Sequence, residues 1–505
     1  MLTHTRCKWL AAFTAAAIFS MAAEVVTGQA VEFSDTTLEN GLRVVIAEDH
    51  VAPVLSIAVN YDVGSRNERR GRTGFAHLFE HMMFEGSENV GDGEHMLLIF
   101  NNGGDLNGTT DKDRTVYYER MPSNQLDLGL FLEADRMASL DITLENLNNQ
   151  RQAVQEERRL RVDNQPYGHT FETIDELAYE NFAYAHSTIG SMTDLNAATV
   201  TDVASFFRTY YAPNNAVLAI VGDVDTESVL KKVHQYFGQI PRQPDPPAVD
   251  LTEPRQTGER RTSYDDPLAR LARIDIAYHI PESLTADHDA MSVLSTVLTS
   301  GRSSRLYQAI VRDTQLGVDL SSSAGNNRGP GLLWLGVIAA PGADLVALEA
   351  AIYEQIERIK TAPIEAWELD KARNGARRSF VSSLGSSLQR AIVLSRYALF
   401  YDDPNLINSR AESIASVSEE DLRRVARTYL TQTNRSVVLT LPALAGGQSG
   451  EDPGQGGFCC AIASTTSSDS HVRSQPVCMP KPAFSKPHRS RAPNSRVSHQ
   501  FPTRS

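Results

Sequence analysis

The 505-residue chain contains only four cysteines, Cys7, Cys459, Cys460 and Cys478, all near its ends. A disulfide scaffold and a thiolate metal site are therefore excluded from its body. Past the N-terminus no stretch approaches the roughly eighteen consecutive apolar residues that a membrane span needs. Basic charge is also scarce: 48 Lys and Arg stand against 62 Asp and Glu, a formal net charge of −14. That balance argues against nucleic acid as a partner and suits basic peptides or metal cations. With 41% hydrophobic and 22% charged residues, the chain is globular and long enough for two or more domains.

Both ends differ from the body. Arg6 and Lys8 precede the apolar run Trp9–Ala23, and small residues follow at Ala22-Ala23 and at Gly28-Gln29-Ala30. Residues 1–30 read as a signal peptide, with an uncleaved anchor as the alternative, so the protein is expected to be periplasmic or secreted. Residues 443–505 hold seven Lys and Arg against Glu451, Asp452 and Asp469, which gives this segment +4 and residues 1–442 a charge of −18. Lacking a periodic apolar pattern, it is expected to be a disordered low-complexity tail. Between the ends, Pro241-Arg-Gln-Pro-Asp-Pro-Pro opens a proline-rich linker, 241–260, that separates domains at 31–240 and 261–442.

The two domains are related. Asp202 and Asp421, Arg208 and Arg427, Thr209 and Thr428, Tyr210 and Tyr429, and Asn215 and Asn434 all match at one offset, 219. In each copy a helical pattern runs into a β-branched strand, which indicates duplication. Strand patterns at 42–47 and 54–61 and a helical one at 74–84 alternate with tight turns. The expected class is α+β, two duplicated α/β-sandwich domains.

His77-Leu-Phe-Glu-His81 carries the chemistry. On a helix, histidines at i and i+4 lie one above the other, the spacing at which two imidazoles hold one Zn²⁺. Glu80 reaches the open side of such a metal and can take a proton from a water held there. A third ligand is sought on the segment 144–162, where Leu144, Leu147, Val154 and Leu160 mark a partial apolar stripe. Continuing that stripe leads to Gln150 and Glu157, with Glu156 turned about 100° away. Glu157 is the better candidate and Glu156 its rival. His95, His169 and His186 read as ordinary polar histidines.

These features resemble the pitrilysin/insulinase family of zinc peptidases, especially its processing-peptidase-like bacterial members, over residues 31 to about 442. The resemblance implies half of a clamshell, one Zn²⁺ per chain held by His77, His81 and Glu157, and catalysis of peptide hydrolysis by Glu80. It implies a substrate-binding edge strand in Gly103–Tyr118, with Asn107, Gly108 and Tyr117 (or Tyr118) at the peptide. Two departures matter. Gln150 stands where the family often has a second acidic residue, so a carboxylate behind the metal ligands is missing. Val311 and Val318 stand where the family has its substrate-gripping Arg and Tyr, while Arg305, Tyr307 and Arg312 lie outside that register. The resemblance therefore implies a zinc-bearing subunit whose gripping pair comes from a partner subunit or a second copy. The alternative is a non-catalytic scaffold subunit. Such an N₂O site also admits Co²⁺ or Mn²⁺.

Overall fold

The computed structural model describes residues 30–443. All but one residue of the expected signal peptide, and all but one of the expected tail, lie outside them. The apolar runs near residues 42 and 54 become β2 (Arg43–Glu48) and β3 (Val54–Tyr61), each buried along most of its length. They join β1 (Ser34–Thr37), β4 (Asp105–Thr110), β5 (Thr115–Pro122) and β6 (Ala216–Gly222) in a six-stranded sheet ordered β1-β2-β6-β3-β5-β4. Only β2 and β6 are parallel. The second sheet, β7-β11-β8-β10-β9, comprises β7 (Arg260–Asp266), β8 (Arg273–Ile280), β9 (Gly317–Ala324), β10 (Gly331–Ala339) and β11 (Arg435–Pro442). Here β7 and β11 are the parallel pair, so the order of the first sheet recurs without its β1.

The residues matched at offset 219 do the same work twice. Thr199 and Ser418 each accept from the amide three residues on, that of Asp202 and of Asp421. They thereby cap the helices Val200–Tyr210 and Glu419–Tyr429. Five residues beyond the closing tyrosines, Asn215 Nδ2 donates to the Tyr210 carbonyl and Asn434 Nδ2 to that of Tyr429, both at 2.8 Å. Each asparagine turns the chain from helix into strand.

One face of the first sheet, with Leu55, Ile57, Val59, Leu218 and Ile220, packs on helices of its own half. The opposite face, with Val45, Ala58, Val217 and Ala219, is covered by Ala391, Leu394 and Ala398 of the helix Ser387–Tyr401, which belongs to the second half. The second sheet repeats this in reverse. Its Ala277, Trp334 and Val438 meet Ile174 and Ala178 of the first half's helix Thr170–Ala178. Burial on both faces explains why the central strands read as continuous apolar runs, without alternation. Polar contacts add to the exchange: Arg328 Nη1 bonds Asp62 at 2.7 Å, and its amide donates to Asp113 Oδ2, in the β4–β5 turn, at 2.8 Å. Among the described residues, no helix is long and apolar enough to cross a membrane.

Candidate metal centre

The motif segment folds into the helix Phe75–Met82, with Phe75, Leu78, Phe79 and Met82 in the core. Gly74 precedes it at φ +83°. A Cβ there would lie 2.6 Å from the Ile189 carbonyl oxygen, so only glycine lets that loop approach. Because Gly74 has no side chain to cap the helix, Glu68 does so from the preceding loop. Its two oxygens accept from the amides of Gly74 (2.8 Å) and Ala76 (2.7 Å), where the unpaired N–H groups of a helix start favour a carboxylate. His186 Nε2 lies 3.0 Å from the same carboxylate. Burial draws the His186 pKa down, but the bond and charge of Glu68 outweigh this and leave it raised.

His77 and His81 stand one turn apart, their ring centroids separated by 4.9 Å. Across from them Glu157 Oε2 lies 3.6 Å from His77 Nε2 and 3.3 Å from His81 Nε2. One donor atom from each of the three falls within 4.8 Å of the others, a group able to hold a metal ion. Glu157 reaches this position from the helix Leu144–Arg158, on the face buried by Leu147, Gln150 and Val154. Its rival Glu156 is exposed and pairs with Arg159 at 3.0 Å. Leu144 and Leu160, expected on the buried stripe, are instead exposed. Leu144 opens the helix, and from Arg159 to Asp163 the chain winds as a wider π turn that rotates Leu160 off the face.

The three groups polarise one another. Burial and then the nearness of His81 push His77 down to about 3. Burial works against charge on His81 too, but its bond to Glu157 and the charge of Glu80 raise it. Burial alone would raise Glu157, yet His81 and His77 bring it down to about 2. Glu80 is only 6% exposed, its pKa is raised by burial, and its Oε2 is buried without a hydrogen-bond partner. Two imidazoles and one carboxylate, with a further carboxylate alongside, are the donor set of a zinc site that keeps a coordination position open. The residues present fit the ion.

The strand β4 pairs with β5 on one side and forms an edge of the sheet. Directly opposed residues share a face, so Gly108 lies with Tyr117 toward the motif helix and Asn107 with Tyr118 toward the other side. Gly108, and not the Asn107 side chain, borders Glu80: a Cβ on Gly108 would fall 2.9 Å from Glu80 Cγ. Asn107 Oδ1 instead accepts from the Gly108 amide at 2.9 Å. Tyr117, expected at the peptide, lies beneath the strand. It is fully buried, with its ring under Gly108 and the Arg136 guanidinium 4.5 Å from its centroid. Strand alternation turned it inward, so it supports the strand without reaching its surface.

The remaining candidates are spent elsewhere. Arg305 forks onto Glu368, and Arg312 pairs with Asp313. His95 is buried edge-on against Phe84, and His169 lies beside Glu172. The structure adds two carboxylates with no motif to announce them: Glu68, which caps the motif helix, and Glu85, which follows it. Glu85 Oε1 accepts from Gln150 Nε2 at 2.6 Å, and burial, then Asp92, push its pKa up to about 7.

Residues 43–192 match the model of the insulinase family, peptidase family M16, and residues 197–376 that of the peptidase M16 inactive domain. The zinc protease PqqE of Helicobacter pylori is 30% identical over 409 residues, 80% of this chain and 92% of its own. The chain belongs to the M16 peptidase family. A second M16 relative, the uncharacterized zinc protease Mb2805c of Mycobacterium bovis, is 27% identical over 80% of this chain and 92% of its own. Among solved structures, a protease from Helicobacter pylori aligns with a TM-score of 0.78 and 30% identity over 82% of this chain and all of that one. The histidine motif lies within the insulinase-family match, while the inactive-domain match covers the end of the first half and much of the second.

Proposed function

We propose that this M16 chain is a zinc-dependent endopeptidase that hydrolyses peptides or unfolded protein segments. The observation that carries the reading is the convergence of His77 Nε2, His81 Nε2 and Glu157 Oε2 beside an unpartnered Glu80 oxygen. Zinc, when bound, supplies an acidified water and a Lewis acid for the scissile carbonyl. His77, His81 and Glu157 hold the ion. Glu80 takes the water's proton and returns it to the leaving amine, a double role suited to a carboxylate whose pKa burial has raised.

The substrate lies extended along β4, adding a strand to the sheet edge. Asn107 gives up its bond to the Gly108 amide so that the peptide can take its place. Val311 and Val318 supply no charge or hydroxyl for gripping a peptide. We therefore assign that task to a partner subunit or a second copy of the chain. Export to a periplasm or beyond is supported by Arg6, Lys8 and the apolar run that follows them.

The test is cleavage of a quenched fluorogenic peptide library by the purified chain, with and without chelator, beside Glu80→Gln. Chelator-sensitive cleavage that drops at least ~10²-fold in the variant is expected. The missing gripping pair favours one second reading, a non-catalytic scaffold subunit. A folded, zinc-loaded chain that stays inert with every partner, while Glu80→Gln assembles normally, would establish the scaffold and sink the peptidase.

A further inference from the structure

Gln150 stands where a carboxylate was expected behind the metal ligands, and the structure gives this glutamine two polar partners. His81 Nδ1 lies 3.2 Å from Gln150 Oε1, and Gln150 Nε2 donates to Glu85 Oε1 at 2.6 Å. All three residues are buried. The ligand helix also holds the main chain of Glu85, because Asn146, one turn before Gln150, donates through Nδ2 to the Glu85 carbonyl at 3.1 Å. We infer that Glu85 is the positioning carboxylate of the metal site, acting on His81 through the side-chain amide of Gln150. The inference rests on the zinc reading proposed above.

Donor and acceptor chemistry carries the argument. The carboxylate of Glu85 accepts, so the amide nitrogen of Gln150 turns toward it and the amide oxygen turns toward His81. That oxygen can only accept, so the proton of the neutral His81 ring sits on Nδ1. When a metal is bound, Nε2 then offers its lone pair to the metal position beside Glu157. Glu85 thereby selects the tautomer that can bind a metal. Without an acceptor at position 85 the amide is free to rotate by 180°. Its NH₂ group then faces Nδ1 and favours the tautomer whose Nε2 carries hydrogen and cannot coordinate. The carboxylate has not been lost; it has moved one hydrogen bond further from the histidine.

Zinc affinity of the full chain, measured at pH 8 by competition with a chromophoric chelator, tests this independently of peptide cleavage. Glu85→Met removes the acceptor and is expected to weaken zinc binding ~10–100-fold, while Glu85→Gln, which keeps one, should fall in between. Adding Gln150→Glu to Glu85→Met puts a carboxylate directly against His81 and should restore most of the loss. A residue that merely packs would lower the melting temperature and leave the dissociation constant alone. Should Glu85→Met fail to fold, Glu85→Gln/Gln150→Glu, with the charge transposed, must still bind zinc within about threefold of wild type. Wild-type affinity in Glu85→Met, or no rescue by the carboxylate at 150, overturns the relay alone. A wild-type chain that binds no zinc, in the same assay, overturns the metal site itself.

Discussion

A single hydrogen atom at position 108 separates Glu80 from the strand proposed to carry the peptide. Because a Cβ there would meet Glu80 Cγ at 2.9 Å and the Tyr117 ring edge at 3.3 Å, Gly108→Ala must displace one of them. Tyr117 is locked in the core, so the glutamate gives way. A proton acceptor displaced by even an ångström costs ~10²-fold in rate. Gly108→Ala is therefore expected to lower kcat about a hundredfold with zinc stoichiometry unchanged; wild-type turnover would show that Glu80 does not work from this position. At this scale the sequence was legible where chemistry follows a helical period. His77, Glu80 and His81 lie within one turn or so, and the stripe through Leu147 and Val154 set Glu157 ahead of its rival Glu156, a choice the family resemblance reinforced. Gly108 was legible as a small residue at the site, but its reason was not, since a Cβ clash depends on how a helix and a strand meet. Glu85 was invisible for a related reason: it touches Gln150 across 65 positions, and no periodicity spans that distance.

Among the elements, the motif helix is the one most in debt to its surroundings. It has eight residues, no side-chain cap from its own N-terminal residue, and a glycine in the left-handed region at its start. Such a short helix does not stand alone in water. Glu68 compensates with two charge-assisted bonds, and Glu68→Ala is expected to destabilise the protein by ~2–3 kcal/mol, read from the denaturation midpoint. The pairing with His186 adds a pH signature. A histidine whose pKa is raised on folding contributes stability that is whole below its unfolded value, ~6.5, and fades as pH rises through the folded value. The melting-temperature difference between wild type and His186→Gln should thus shrink between pH 6 and pH 9. A difference independent of pH would show that the ring acts by packing alone. The cap was not legible in the sequence, because Glu68 lies seven residues before the first residue of the helix, in a stretch without pattern. By contrast the duplicated helix–strand units were, since Asp202 and Asp421, Tyr210 and Tyr429, and the turn residues Asn215 and Asn434 recur at a fixed offset.

For the whole molecule, the proline-rich segment marks a boundary in the sequence that the packing does not respect. Each sheet depends on a helix from the other half, and losing one uncovers several buried aliphatic side chains worth ~1.5–3 kcal/mol each. Residues 30–250 expressed alone are expected to aggregate or stay molten. Co-expression with residues 251–443 should recover a soluble complex with a single unfolding transition. A soluble, cooperatively folding first half would show that the helix Ser387–Tyr401 is dispensable cover. The duplicated architecture was readable in advance; the exchange of covering helices was not. The apolar residues of Ser387–Tyr401 name no partner, and nothing in their spacing assigns them to a sheet more than 300 positions away in the chain.

That exchange also bears on how a long peptide gains entry. Two lobes joined only by a tether can swing apart, but lobes that each hold the other's back cannot part without partly unfolding. On the peptidase reading proposed above, the chain is one jaw, and its two described halves, each covered by a helix of the other, form no joint. On that reading, whatever movement admits a substrate and then closes over it occurs at a surface between this jaw and the second one proposed for it. The fraction of chains able to enclose a substrate would then depend on protein concentration and on the second jaw, and no substitution within the linker 241–260 would loosen the grip.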